Sequence, residues 1–236
     1  MLKTDYRKLY KLQNKFLNFW KTLNLPFYLT GGTALGRFYL NHRYSEDLDF
    51  FVNQDKNFNE YLKVFIQNLE RNFTTDKKKT LIYDTFARFI IKDNDTFLKI
   101  EFVNDIPYRT GEPNNIYFGK IDTPLNILSN KISTIVNRDE PKDMFDIIHI
   151  ALNYKFNWKN AFFETKEKNI INEIDVEQRI NTFPIELFEN VEWFINKPEN
   201  SVLKKHIQTI ADDFLTGSDN SLCKTNINIS DAKPII

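Results

Sequence analysis

Asp47-Leu48-Asp49 is the feature of this 236-residue sequence best suited to chemistry. On an extended strand the two aspartates leave the same face with Cα atoms roughly 6.5 Å apart, so both carboxylates can grip one hard divalent cation. A solvated strand face has the same pattern, so the neighbouring residues decide. Upstream stands Gly31-Gly32-Thr33, where a short apolar run gives way to a helical pattern. Glycines at a strand-to-helix turn let the backbone approach an anion, and the first N–H groups of the helix favour phosphate oxygens. Glu101 adds a carboxylate on the polar face of a later strand. Three such groups can hold two ions that clamp the attacking and leaving oxygens of an in-line displacement, and Glu101 is placed to take the proton of an attacking hydroxyl. The alternatives are an exposed Glu101 paired with Lys99, and Asp105 as the third carboxylate.

The elements that must position these groups follow from periodicity. Residues 5–24 place Tyr6, Leu9, Tyr10, Phe16, Leu17, Trp20 and Leu23 on one helical face, and Pro26 ends that helix. Phe27-Tyr28-Leu29 reads as a strand running into the glycine turn, with a helix over Thr33–Leu40 behind it. Asp47–Val52 alternates as a half-buried strand, and Asn57–Glu70 is amphipathic. Thr80–Ile91 and Thr96–Val103 flank Lys92-Asp93-Asn94-Asp95 as a hairpin. From Thr123, an N-cap followed by Pro124, the pattern is helical, and Glu140-Pro141 opens a second helix. Weaker helical patterns cover roughly 158–172, 184–196 and 199–215. The expected fold is α/β (α+β): a mixed sheet with flanking helices over residues 1–120, a helical domain over 121–216, and a loose polar tail over 217–236.

Composition narrows the function classes. Hydrophobic residues make up 42% of the chain and aromatic residues 15%, which excludes a disordered chain. Thirty-two basic residues balance thirty-two acidic ones, so any nucleic-acid contact must come from a local basic surface. Cys223 has no partner for a disulfide or a thiolate metal site, and no apolar run has membrane-spanning length or the form of a signal peptide. A cytoplasmic protein with no membrane contact is expected. His42, His149 and His206 are not spaced as metal ligands, Lys77-Lys78-Lys79 reads as a solvated loop, and the glycine turn lacks the Gly-Lys-Ser/Thr of a Walker motif.

The run GGTALGRFYLNHRYSEDLDFFV resembles the AbiEii/AbiGii nucleotidyltransferase toxin family of the DNA polymerase β-like nucleotidyltransferase superfamily. Over residues 26–52 the glycine turn, Thr33-Ala34-Leu35, His42-Arg43, Ser45-Glu46 and Asp47-x-Asp49 occur in the family's order. The likeness resumes at Lys131, Arg138 and Lys142-Asp143-Met144-Phe145-Asp146, where Lys142 replaces an Arg and so keeps the charge but loses bidentate geometry.

The resemblance implies a nucleotidyltransferase fold with Mg²⁺ or Mn²⁺ on Asp47, Asp49 and Glu101. It implies a nucleoside triphosphate such as ATP held around Gly31, Gly32, Thr33, Arg43, Ser45 and Lys131. The implied reaction moves NMP onto an acceptor hydroxyl, above all a tRNA 3′ end. The implied role is that of a toxin in phage defence with a cognate antitoxin. Lys131, at the edge of its helix's apolar stripe, either reaches the triphosphate or snorkels at a domain contact. Asp143 and Asp146, three residues apart, either orient Lys131 or Arg43 or form structural ion pairs. Other readings are transfer to a protein or an aminoglycoside-like small molecule, or nucleotide binding without catalysis. The adjacent like charges of Asp47 and Asp49 argue against the last, because an idle site has no stability reason to keep them together.

Overall fold

The computed structural model describes residues 4–235. Its first helix, α1 (Tyr6–Trp20), begins where the Asp5 carboxylate accepts hydrogen bonds from the N–H groups of Arg7 and Lys8, donors that no earlier turn can satisfy. Its buried Leu9, Leu12, Phe16, Leu17 and Trp20 form one stripe. A 3-10 turn (Lys21–Leu23) and left-handed Asn24 close it. β1 (Tyr28–Thr30) then leads into α2 (Gly31–Leu35), which continues as a π-helical turn over Gly36–Leu40 and ends at left-handed Asn41.

β2 (Leu48–Asn53), α3 (Phe58–Asn72), β3 (Thr74–Thr75), β4 (Leu81–Ile82), β5 (Phe86–Asp93), β6 (Thr96–Asp105), β7 (Asn114–Ile116) and β8 (Gly119–Ile121) follow. They form one mixed sheet in the order β3-β5-β6-β2-β1-β8-β7, with β4 also pairing β5. β2 runs parallel to β6 and β1 parallel to β8, while β1 and β2 are antiparallel. The β5–β6 hairpin forms around Asn94-Asp95, but its expected first arm is split. Tyr83 N–H donates to the Phe86 carbonyl, closing a turn that folds Leu81-Ile82 back on β5.

Strand alternation gives the sheet two distinct faces. Leu48, Phe50 and Val52 of β2, with Leu98, Ile100 and Phe102 of β6, are buried. They meet the aromatic rings of α1 and α3: Trp20 packs at a tilt against Phe50 with 4.4 Å between centroids, and Phe65 likewise against Phe102 at 4.6 Å. The residues between them, Asp49 and Phe51 on β2 and Lys99, Glu101 and Val103 on β6, point to the other face.

That second face is overhung by helices. In α4 (Pro124–Ile135) the Thr123 hydroxyl accepts from Asn126 N–H, and in α5 (Pro141–Asn153) the Glu140 carboxylate accepts from Lys142 N–H. Both starts carry proline where its missing N–H costs nothing. α6 (Trp158–Lys166), α7 (Glu173–Asn181) and α8 (Asn200–Thr216) complete the bundle. Buried apolar residues of the sheet and of the bundle belong to one continuous cluster.

Three expectations fail here. The helix expected over 158–172 stops at Lys166, and Asn172 caps a separate α7 instead. The segment 184–196 holds only a 3-10 turn at Ile185–Phe188, because Trp193 gives its carbonyl to Tyr44 N–H and Phe194 bridges Arg43. Tertiary pairing overrides a weak helical pattern. The segment from Gly217 is no loose tail within the described residues. Asn220 donates to the carbonyls of Ala151 and Tyr154 at the end of α5, Lys155 exchanges backbone hydrogen bonds with Ile227 and Ile229, and Ile229 and Ala232 are buried. The polar composition that suggested disorder supplies donors and acceptors to the otherwise orphaned end of a helix.

Candidate active site

The register of four strands lines up a row of polar residues: Thr30 of β1 faces Asp49 of β2, Asp49 faces Glu101 of β6, and Glu101 faces Arg88 of β5. Thr30 is fixed from the other side by donating to Asp122 at 2.5 Å. Thr30, Gly31, Gly32, Asp49 and Glu101 line one wall of a cleft of about 360 Å³; Asn130, Lys131, Arg138 and Asp143 line the wall opposite. The cleft therefore lies between the free sheet face and the paired helices α4 and α5.

Around the carboxylates the charges are compensated unevenly. Lys99 Nζ lies 2.8 Å from Asp47 Oδ2 and 3.4 Å from Glu101 Oε2. The Nε and Nη2 atoms of Arg88 both lie 2.6 Å from Glu101 Oε1. Among the described residues Asp49 has no cation bonded to it. Burial, then the neighbouring charges of Asp47 and Glu101, push its carboxyl up to about 7. Burial also raises Asp47, against its ion pair with Lys99.

On the helical wall two buried carboxylates hold three cations. Lys131 Nζ is 2.5 Å from Asp143 and 2.9 Å from Asp146. Asp146 also accepts from Nε and Nη2 of Arg43, at 2.6 and 2.7 Å, and from Nε2 of His42 at 2.8 Å, while Arg138 pairs with Asp143 at 2.7 Å. Burial opposes the Lys131 charge, yet Asp146 and Asp143 outweigh it and hold the ammonium above its usual range. Arg43 and Lys131 likewise outweigh burial and hold Asp146 well below the carboxylate range. Burial lowers His42, which is neutral and donates from Nε2. Three cations against two carboxylates leave this wall net positive, and the 11% exposure of the Lys131 side chain is directed into the cleft.

Several residues expected to touch phosphate do other work. The Thr33 side chain is fully buried and donates to the Asp47 carbonyl, fixing the strand start rather than an anion. Arg43 is buried, and its three nitrogens are committed to Asp146 and the Tyr44 carbonyl. Ser45 is buried and does not line the cleft; its N–H donates to the Tyr10 hydroxyl and its carbonyl accepts from Gln13. Asp143 and Asp146 orient Lys131 and Arg43 and at the same time bury ion pairs, so the two roles anticipated for them coincide. Gly31, Gly32 and Lys131 remain on the cleft, whereas Asp105 does not line it.

Thr30, Arg88 and Asn130 escaped the sequence reading. For Arg88 a signal existed, because a two-residue loop at Asn94-Asp95 places it opposite Glu101. For Thr30 and Asn130 there was none, since their partners lie in distant segments.

The donor chemistry suits a hard divalent cation, since the anionic groups on the sheet wall are carboxylates and, among the described residues, Asp49 has no cation already bonded to it. The expected convergence of three carboxylates is nevertheless not met: among the described residues no three His, Cys, Asp or Glu side chains gather around one point. Lys99 and Arg88 draw Asp47 and Glu101 into ion pairs instead. No helix among those residues is long and apolar enough to cross a membrane.

The mixed sheet with its row of carboxylates, faced across a cleft by a deeply held lysine, is built by a sequence that the match to a family model makes a nucleotidyltransferase. The chain belongs to the family of the nucleotidyl transferase AbiEii toxin of type IV toxin–antitoxin systems, whose model matches residues 19–220. That span runs well past Asp146, the last residue of the sequence motifs. The fold is similar to that of the Helicobacter pylori protein JHP933, with a TM-score of 0.62 at 19% identity over 92% of this chain and 94% of that one. The structure of a second Helicobacter pylori protein, described as a candidate nucleotidyltransferase, gives a TM-score of 0.59 at 20% identity over 91% and 96% of the two chains. No curated protein matches the sequence.

Proposed function

We propose that this chain transfers a nucleoside monophosphate from a nucleoside triphosphate to an acceptor hydroxyl, with Mg²⁺ or Mn²⁺ at Asp47, Asp49 and Glu101. The supporting observation is the face-to-face placement of Asp49 and Glu101 against Lys131 across one cleft. When bound, the divalent ion supplies charge neutralisation at the phosphates and the oxygens exchanged in the displacement. Asp49, Asp47 and Glu101 furnish the oxygen ligands. The Gly31-Gly32 backbone borders the phosphates, and Lys131 places a fixed positive charge where negative charge grows on the leaving pyrophosphate. Asp143 and Asp146 keep that ammonium in place and protonated. Arg43, Thr33 and Ser45 act one step back, by fixing the turn and the strand start.

The acceptor we propose is an RNA 3′ hydroxyl of tRNA, and the partner a cognate antitoxin, consistent with the toxin–antitoxin character of the family. Purified protein incubated with each labelled nucleoside triphosphate and total cellular RNA, protein and small acceptors should label tRNA, and Asp47→Asn should not. Label confined to protein rejects the RNA acceptor; equal labelling by Asp47→Asn rejects the catalytic assignment.

A further inference from the structure

We propose that Lys99 is a built-in counter-cation occupying the share of Asp47 and Glu101 that a divalent ion needs, so that ion binding requires the lysine to release both carboxylates. This rests on the reading of Asp47, Asp49 and Glu101 as the metal-binding set.

Three observations carry it. Lys99 stands on β6 two residues before Glu101 and on the same face, so its stem reaches along the wall that holds the carboxylates. Its single ammonium touches one oxygen of each, Asp47 Oδ2 at 2.8 Å and Glu101 Oε2 at 3.4 Å. Arg88 takes the other oxygen of Glu101, so that carboxylate has no oxygen without a cation, whereas Asp49, which faces Glu101 in register, has no cation bonded to it among the described residues. The absence of any three-ligand cluster among the described residues fits two basic side chains already engaged with the ligands.

The pairing is built to be reversible. Lys99 is 33% exposed and Asp47 38%, and an ion pair so exposed to water is weak enough for a flexible lysine to exchange into solvent. The more buried Arg88–Glu101 pair has two nitrogens on one oxygen and is the more durable of the two. Lys99 therefore acts as a positioning residue: it compensates the metal ligands while the ion is absent and sets a threshold for the ion's entry. A permanent neutral residue at this position would leave the carboxylates mutually repelling, and hence avid for a cation.

The test is Mn²⁺ binding to the nucleotide-free full chain, followed by calorimetry and by loss of the free-ion electron paramagnetic resonance signal, in wild type, Lys99→Met, Lys99→Arg and Asp49→Asn. Lys99→Met should bind Mn²⁺ about fivefold more tightly, the upper end of the scale set by removing one exposed competing ion pair, with Lys99→Arg within about twofold of wild type. Asp49→Asn should abolish binding in both the wild-type and the Lys99→Met background. Unchanged or weaker affinity in Lys99→Met, with binding still dependent on Asp49, overturns the role of Lys99 and leaves the metal-binding set standing. Binding indifferent to Asp49→Asn in every background overturns the metal-binding set itself. Lys99→Gln repeats the measurement with a polar neutral side chain, and the same tightening is expected of it.

Discussion

Gly32 and Arg43 are in direct contact: a Cβ placed on Gly32 would lie 2.1 Å from Arg43 Nη2. Gly36, one helical turn on, would bring a Cβ to 2.9 Å from the Arg43 carbonyl oxygen. Two of the three glycines between residues 31 and 36 thus make room for an arginine. Arg43 spends that room on a bidentate pair with Asp146 of α5, which ties the glycine turn to the helix pair that carries Lys131. Gly31 differs, since its φ of 69° is left-handed and its missing side chain admits Asp49 Oδ2.

Gly32→Ala should accordingly force the guanidinium away from Asp146 and cost on the order of 3 kcal/mol, the scale for disrupting a buried charge pair. Thermal unfolding checks this. In an Arg43→Ala background the methyl group meets no guanidinium, and the added cost should fall below about 1 kcal/mol. Equal costs in both backgrounds would separate the two residues energetically.

The sequence carried the sheet wall and lost part of the helical one, for a physical reason. Alternation and the order of glycine turn, Asp-x-Asp and later strand are local signals, and they located Asp47, Asp49 and Glu101 on one face. Whether Arg43 reaches a phosphate or a buried Asp146 depends on a partner 103 residues away, which no local pattern encodes. The same holds for Thr33, whose hydroxyl is turned to the Asp47 carbonyl, and for the segment after Gly217, whose asparagines look like linker until the end of α5 is beside them. Lys131 was legible only as an edge position, because the two carboxylates that hold its ammonium, Asp143 and Asp146, lie on the next helix.

The pH dependence of stability should report Asp49. An unfolded aspartate titrates near pH 3.9, whereas burial and the neighbouring carboxylates raise Asp49 to about 7 in the folded chain. Between those values the folded state binds the extra proton, so this group's favourable contribution is complete below about pH 4 and is lost as pH rises through about 7. Asp49→Asn should therefore leave metal-free stability nearly unchanged at about pH 4 and raise it at about pH 8. The gain should be on the order of 2 kcal/mol, less than the full shift implies because Asp49 keeps some solvent contact. Nucleotide transfer should be lost at both. A stability gain that does not grow with pH would contradict the raised carboxyl.

Lys131→Met should separate charge from packing. The methionine stem fills the same channel between α4 and α5, but the positive charge facing the cleft disappears. If that charge serves the transition state, kcat should fall about 10²- to 10³-fold with KM for the nucleotide changed much less. A rise in KM at unchanged kcat would make Lys131 a ground-state binding residue instead.

Asn220 offers the cleanest test of the packed C-terminal segment. Its two amide hydrogens go to the Ala151 and Tyr154 carbonyls at 2.7 and 2.8 Å, both buried interactions. Those carbonyls close the last turn of α5, where no further helical N–H can reach them. Asn220→Ala leaves both acceptors without their donor in a place water reaches poorly, so it should cost about 2 kcal/mol, read as a lower urea midpoint at unchanged slope. Asn226 makes its hydrogen bond to Lys155 at the exposed surface, and Asn226→Ala should stay within about 0.5 kcal/mol of wild type. A loose segment would show no difference between the two substitutions, whereas a packed one requires the buried asparagine to dominate. Because α5 also carries Asp143 and Asp146, the same Asn220→Ala protein should lose nucleotide transfer on warming in step with its unfolding and not before.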